Sequence, residues 1–152
     1  MSFTIVISAT VDTNILIYAV DVDSGPKHLI AKRIVDFLGT NAAILPLQCL
    51  SEFYRATTRK QLIAPADAAS IVQQFHAAIR IIPPSFEDLT AAMQIHQQHG
   101  IQFFDALLIA TARNVGCGVF FSEDLQDNRN FGGITIRNPF LLSSEDLNAL
   151  LS

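Results

Sequence analysis

The sequence predicts an α/β fold in which a mostly parallel sheet is covered by helices on both faces. Short runs rich in β-branched and aromatic residues recur at 3–11, 42–45, 80–82, 119–121 and 134–136. Between them lie helix-length segments with apolar residues at i, i+3 and i+4 spacing. Strands separated in this way must pair through crossovers, which gives parallel ladders with helices packed on the faces. No repeat, low-complexity tract or linker divides the 152 residues, so one domain over 1–152 is expected, long enough to bury a sizeable core.

The first run ends just before Asp12, and Ile15, Leu16, Tyr18 and Ala19 then suggest a short helical turn. Asp21-Val22-Asp23-Ser24-Gly25-Pro26 has turn chemistry followed by a helix-starting proline. From Pro26 to Leu38 the stripe Leu29, Ile30, Arg33, Ile34, Phe37, Leu38 predicts an amphipathic helix with Gly39 as its stop. The run 42–45 is a buried strand, and Pro46 opens a helix carrying Leu47, Leu50, Phe53, Tyr54 and Thr57. Pro65 to Ala78 is a further helix with Ile71, Val72 and Phe75 inward, and Arg80-Ile81-Ile82 is a strand stopped by two prolines. Residues 85–98 form a helix in which Ser85 and Asp88 make a capping arrangement and Gly100 closes the end. Phe103 to Asn114 is apolar almost all round and therefore deeply buried.

Composition narrows the function classes. Half of the residues are hydrophobic, yet no apolar run approaches the ~20 residues of a membrane span. Residues 1–4 carry no basic n-region, so no secretory signal is expected. Cys49 and Cys117 lack C-x-x-C spacing and suit reduced thiols in a core, which points to the cytoplasm. Net charge is −4 and the pI about 5.4. A general polyanion binder is basic, because phosphate affinity comes largely from Lys and Arg. A nucleic-acid substrate would require metal ions, or basic residues gathered in one place.

In parallel α/β sheets ligands gather outside the C-terminal strand ends. Asp12 directly follows the first strand and is also a good helix N-cap. Glu52 sits mid-helix just beyond the second strand, where a solvated helix face is the alternative. Asp105 stands in the first turn of the apolar helix, between Phe103-Phe104 and Ala106-Leu107-Leu108-Ile109. Burying one ion among such residues costs several kcal/mol unless it is paired or metal-bound, and a helix dipole contributes only about 0.3–1 kcal/mol. Asp124 follows the fourth strand in Ser122-Glu123-Asp124-Leu125-Gln126-Asp127, where Asp127 is a second candidate. Carboxylates gathered at one sheet edge repel one another unless a divalent cation neutralises them. All-oxygen donors select Mg²⁺ or Mn²⁺ over Zn²⁺, and such metals serve phosphodiester hydrolysis.

Five stretches carry a resemblance to a known family. They are Val11-Asp12-Thr13-Asn14-Ile15-Leu16-Ile17-Tyr18-Ala19, Ser51-Glu52-Phe53-Tyr54, Phe104-Asp105-Ala106-Leu107-Leu108-Ile109-Ala110-Thr111-Ala112, Ser122-Glu123-Asp124-Leu125 and Asn138-Pro139-Phe140. In this order, over about residues 6–140, the chain resembles the PIN-domain ribonucleases and, within them, the VapC-type toxins of prokaryotic toxin–antitoxin pairs. The resemblance implies a three-layer α/β/α sandwich with a central, mostly parallel sheet, and a homodimer. It implies a Mg²⁺-dependent endoribonuclease acting on RNA, and a small antitoxin that folds over the active site. It makes Asp12, Glu52, Asp105 and Asp124 the acidic metal-binding and catalytic set, with Asn14 and Ser122 as supporting polar residues. Close relatives commonly carry Trp before the third acid; Phe104 stands there in this chain. The last acidic loop is the most variable part of the family pattern, which leaves Asp124 and Asp127 both open.

Other features have two readings each. Arg55, Arg59 and Lys60 follow Glu52 and could bring positive charge to RNA phosphates, or simply form a solvated helix end where cations suit the dipole. His96 and His99 could share a metal, but no third ligand accompanies them. Phe103-Phe104 could stack on bases, although core packing is the expectation. Two other functions compete with the nuclease: a catalytically silent PIN-fold binding module, and a phospho-aspartate receiver or phosphatase. The second needs a late lysine, and the only lysines are Lys27, Lys32 and Lys60.

Overall fold

Strand β1 (Ala9–Val11) leads directly into helix α1 (Thr13–Val20) in the computed structural model, which describes residues 8–152. After a short 3₁₀ turn at Val22–Ser24 come α2 (Pro26–Thr40), β2 (Ile44–Pro46), α3 (Leu47–Arg59) and α4 (Pro65–Ala78). The chain continues through β3 (Arg80–Ile82), α5 (Phe86–His99), α6 (Phe103–Asn114), β4 (Val119–Phe121) and β5 (Thr135–Arg137). It ends on a 3₁₀ turn at Pro139–Leu141 and α7 (Ser144–Leu150). The architecture is the expected α/β/α arrangement with a parallel central sheet.

One ladder has the order β1-β4-β5 and another joins β2 to β3, and every pair in both is parallel. β2 lies beside β1. The Cys49 thiol, just past β2, donates to the Val11 carbonyl at 3.5 Å, so both ladders end at the same edge. β1 and β4 are buried along their whole length, as strands covered on both faces must be. The outer strands β3 and β5 are only partly buried. Helices pack in neighbouring pairs, α1 on α2, α3 on α4 and α5 on α6. Phe53, Phe120, Phe121, Ile15, Leu45 and Ile109 are among the fully buried side chains. Cys49 and Cys117 are free and buried in the same core, and burial pushes both thiols up, Cys117 to about 11.

Local chemistry explains most element boundaries. Ser85 and Asp88 form the reciprocal capping box, and Gly100 ends α5 in the left-handed region at φ 68°. Four expectations shift. The part of the first strand at 3–7 lies outside the described residues, and the turn after Asp12 is a full eight-residue helix. α2 does not stop at Gly39; it runs to Thr40, and the Asn41 side chain donates to the Phe37 carbonyl at 2.9 Å in place of a glycine cap. β2 extends to Pro46 and β5 to Arg137, each a residue later than the apolar run suggests. α7 carried no expectation, although Ser143 accepts from the Asp146 amide just as Ser85 does from Asp88.

Candidate functional site: a carboxylate cleft at the sheet edge

Because β1 and β4 are parallel neighbours, the residues that follow them emerge side by side. The Asp12 amide donates to the Phe121 carbonyl at 2.9 Å, extending the ladder by one step. The Asp12 carboxylate then turns back. Oδ1 accepts from the Thr13 amide at 2.7 Å, and Oδ2 accepts from Ser122 Oγ at 3.0 Å. Asp12 is therefore both the N-cap of α1 and a site carboxylate. Burial, and secondarily Asp105 nearby, raises its carboxyl from 3.8 to about 6.

Glu52 reaches the same place from α3. Its Oε2 accepts from Thr13 Oγ1 at 2.6 Å, and its Oε1 accepts from Gln48 Nε2 at 2.7 Å. Gln48 also donates to the Phe104 carbonyl at 3.3 Å, which ties α3 to the start of α6. Asp105, in the first turn of α6, is half-buried. Burial, then Asp124 and Glu52, hold its carboxyl above the usual range. Asp124 completes the group: Asn14 Nδ2 donates to its Oδ2 at 3.0 Å, and its amide donates to Ser122 Oγ at 3.2 Å. Asp12, Glu52, Asp105 and Asp124 line one open cleft of about 720 Å³.

Asp127 takes no part in it. Its Oδ1 accepts from the Asn138 amide at 2.9 Å and from Arg137 Nε at 3.3 Å, which fastens the loop to the end of β5. Glu123 is likewise engaged elsewhere. Tyr18 Oη and Lys27 Nζ both donate to it, the latter at 2.7 Å, so this acid locks the loop to α1 and α2. Asn14 and Ser122, expected as supporting residues, each donate a hydrogen bond to one of the cleft acids. Thr13 and Gln48 join them, and neither was among the sequence candidates; Gln48 at i−4 from Glu52 on one helix face was the available cue.

The same cleft is also lined by Arg55, Arg59 and Lys60, which follow Glu52 towards the end of α3. All three are exposed, and among the described residues none has a carboxylate within ion-pair distance. They line the cleft together with the acids rather than an unrelated helix end. The aromatic pair divides. Phe103 packs edge-on against His96 and Phe104, as a core residue should, whereas Phe104 is 56 % exposed and lines the cleft. His96 and His99 have separate contacts: His96 Nδ1 hydrogen-bonds the Ile101 carbonyl at 2.7 Å, and His99 packs edge-on against Phe131.

The donor chemistry of the cleft suits a hard divalent cation. Every candidate ligand lining it is a carboxylate, an all-oxygen donor set. Among the described residues no three Asp, Glu, His or Cys groups converge closely enough to form a ready-made cage. Mg²⁺ does not require one, since it keeps several waters and commonly takes one or two carboxylates together with substrate phosphate oxygens.

The PIN domain family model matches residues 9–129, which span all four acids. The chain belongs to the PIN-domain family. Solved structures with the same fold include a toxin–antitoxin complex from Klebsiella pneumoniae, at 19% identity and TM-score 0.62, covering 86% of this chain and 97% of that one. A sarcin–ricin-loop-cleaving VapC toxin from Mycobacterium tuberculosis matches at 19% identity and TM-score 0.60, covering 76% of this chain and 91% of that one. DNA-bound VapBC from Salmonella typhimurium matches at 16% identity and TM-score 0.65, with 88% and 98% covered. At these identities the likeness shows the fold. No curated protein matches the chain. Among the described residues, no helix of this PIN domain is long and apolar enough to cross a membrane.

Proposed function

We propose that this PIN domain is a Mg²⁺- or Mn²⁺-dependent endoribonuclease, the toxin of a type II toxin–antitoxin pair acting in the cytoplasm. One observation carries the reading. Four acids from remote parts of the chain line a single cleft that Arg55, Arg59 and Lys60 line with them. Acids alone would repel RNA; acids beside unpaired cations make a place for a metal and a phosphodiester together.

In this reading Asp12, Glu52, Asp105 and Asp124 hold the cation. Thr13, Asn14, Gln48 and Ser122 hold the acids, since each donates a hydrogen bond to one of them. The cation, when bound, supplies Lewis-acid polarisation of the phosphate and activates water for attack. Asp105 accepts no hydrogen bond from the described residues, which leaves it the acid least committed to the fold and most open to a ligand. Arg55, Arg59 and Lys60 attract and orient the flanking phosphates. The structural neighbours described as toxin–antitoxin complexes support a small antitoxin as partner. A homodimer is part of the same proposal, and the groove between α3 and α4, with Leu47 and Tyr54 exposed, offers apolar surface for assembly.

The test is cleavage of single-stranded and structured RNA by the purified protein, with Mn²⁺ binding followed by calorimetry. Asp12→Asn and Asp105→Asn are expected to abolish cleavage and weaken Mn²⁺ binding while leaving the circular dichroism spectrum unchanged. Full activity in both variants, or in EDTA, would sink the proposal. A silent binding module is the second reading; retention of a carboxylate at all four positions weighs against it, and failure to titrate with Mn²⁺ would favour it. A phospho-aspartate enzyme finds no support, because Lys27, the lysine bound at the acidic loop, is taken up by Glu123.

A further inference from the structure

α6 buries nearly everything it carries. From Ala106 to Ala112 only Leu107 keeps any notable exposure, yet Phe104 at the head of the same helix leaves 56 % of its surface in solvent. Exposing a phenyl ring forgoes hydrophobic stabilisation that burial would provide. Exposure alone decides nothing, for Phe86 is 75 % exposed and Leu141 71 %. Location is what sets Phe104 apart. Among the described residues, it alone of the large apolar side chains more than half exposed lines the carboxylate cleft.

Its position is also fixed. Phe104 directly precedes Asp105, its carbonyl accepts from Gln48 Nε2 at 3.3 Å, and that same amide group holds Glu52. Phe103 meets the Phe104 ring edge-on, with centroids 5.3 Å apart and planes at 67°. An edge contact of this kind steadies a ring without covering both of its faces. The cleft thus presents acids able to hold a cation, guanidinium groups at Arg55 and Arg59, and one braced aromatic surface. The ligand chemistry that answers all three is a phosphodiester-linked nucleobase.

We propose that Phe104 is a stacking platform for one unpaired nucleobase next to the scissile phosphate, so that the substrate is single-stranded or looped-out RNA rather than continuous duplex. This rests on the nuclease reading above. In a duplex each base face is already covered by its neighbours, so a protein aromatic can stack only on a base that has left the helix. Stacking is tolerant of base identity because every base has a π-face. The platform therefore selects for strandedness and leaves sequence preference to other contacts.

Binding of a short fluorescein-labelled unstructured RNA, followed by anisotropy, tests this on an Asp12→Asn background that holds RNA without cutting it. Phe104→Ala is expected to weaken binding by roughly 5- to 100-fold. Phe104→Trp should match or exceed the parent, and Phe86→Ala should leave affinity unchanged. In the cleaving protein, Phe104→Ala should raise KM more than it lowers kcat. Oligonucleotides carrying a single abasic site at each position in turn should include one for which the penalty of Phe104→Ala disappears. The same sequence as a blunt duplex should bind weakly and indifferently to residue 104. Equal affinity of parent and Phe104→Ala for single strands overturns the platform, as would be found if the ring is a seat for a protein partner. RNA that the parent neither binds nor cuts overturns the nuclease reading as well, which separates the two failures.

Discussion

The acidic and the basic groups that line the cleft, its acidic and basic walls, are made differently, although Glu52 and Arg55 both come from α3. On the acidic wall Asp12 and Glu52 each accept two hydrogen bonds and Asp124 accepts one, from partners on α1, α3 and the end of β4. On the basic wall Arg55, Arg59 and Lys60 are exposed and unpaired among the described residues. Three of the four acids are held by hydrogen bonds, whereas the three cations are left to solvent. Holding has a cost, since burial and mutual repulsion push Asp12 and Asp105 toward protonation.

That contrast can be broken most forcefully at Asp12. A carboxyl at about 6 in the folded protein against 3.8 ordinarily disfavours folding by on the order of 3 kcal/mol at neutral pH. Because the folded value is raised, its stability contribution is complete below about pH 4 and is lost as pH rises through about 6. In EDTA, Asp12→Asn is therefore expected to melt above the parent at neutral pH, with the gap closing as the pH falls toward 4. The amide can still accept from the Thr13 amide and donate to Ser122. A parent that melts higher than Asp12→Asn in EDTA at neutral pH would show that the acidic wall carries no such strain.

Next in size is loosening the acids without removing one. Thr13→Val keeps the shape of the side chain and deletes the hydroxyl on Glu52 Oε2. Loss of such a supporting hydrogen bond is expected to reduce Mn²⁺ affinity or cleavage by about 10- to 100-fold, with Thr13→Ser restoring it. Calorimetric titration reads the difference directly. If Thr13→Val titrates like the parent, placement on this wall matters less than charge does.

The smallest effects belong to the basic wall. Arg55→Gln and Arg59→Gln are each expected to raise KM for RNA by up to about tenfold and to lower the steepness of its salt dependence by about one contact apiece. Stopped assays over a series of KCl concentrations give both quantities. A salt slope indifferent to both substitutions would remove these residues from the substrate path.

Much of the fold was legible because its boundaries are written in local chemistry. Pro65, Arg80 before Pro83-Pro84, Ser85 with Asp88, and Gly100 each act within a few residues of themselves, and the elements they delimit begin or end where they predict. Gly39 misled because its backbone stays helical and the nearby Asn41 does the capping. The acids were legible for another reason. Asp105 among apolar residues has no comfortable local explanation, so it signals a partner from elsewhere.

Thr13, Gln48 and the choice between Asp124 and Asp127 were not legible. A threonine opening a helix and a glutamine on a helix face are commonplace, and only the approach of α1 to α3 gives them Glu52 to hold. Asp124 and Asp127 share one loop and one chemistry. Asp127 is claimed by the Arg137 side chain and the Asn138 amide, at the far end of another strand, and Asp124 by Asn14 on α1.

The amino-acid order by itself determined that this chain alternates strands with helices and places an acid just past several strand ends, because periodicity and capping act over a handful of residues. It took the packed chain to settle which acids share a cleft, that Phe104 is exposed there, and that the cations of α3 line the same cleft. Those outcomes depend on the direction in which a side chain leaves its element and on what the parallel crossovers carry next to it, and that information is long-range.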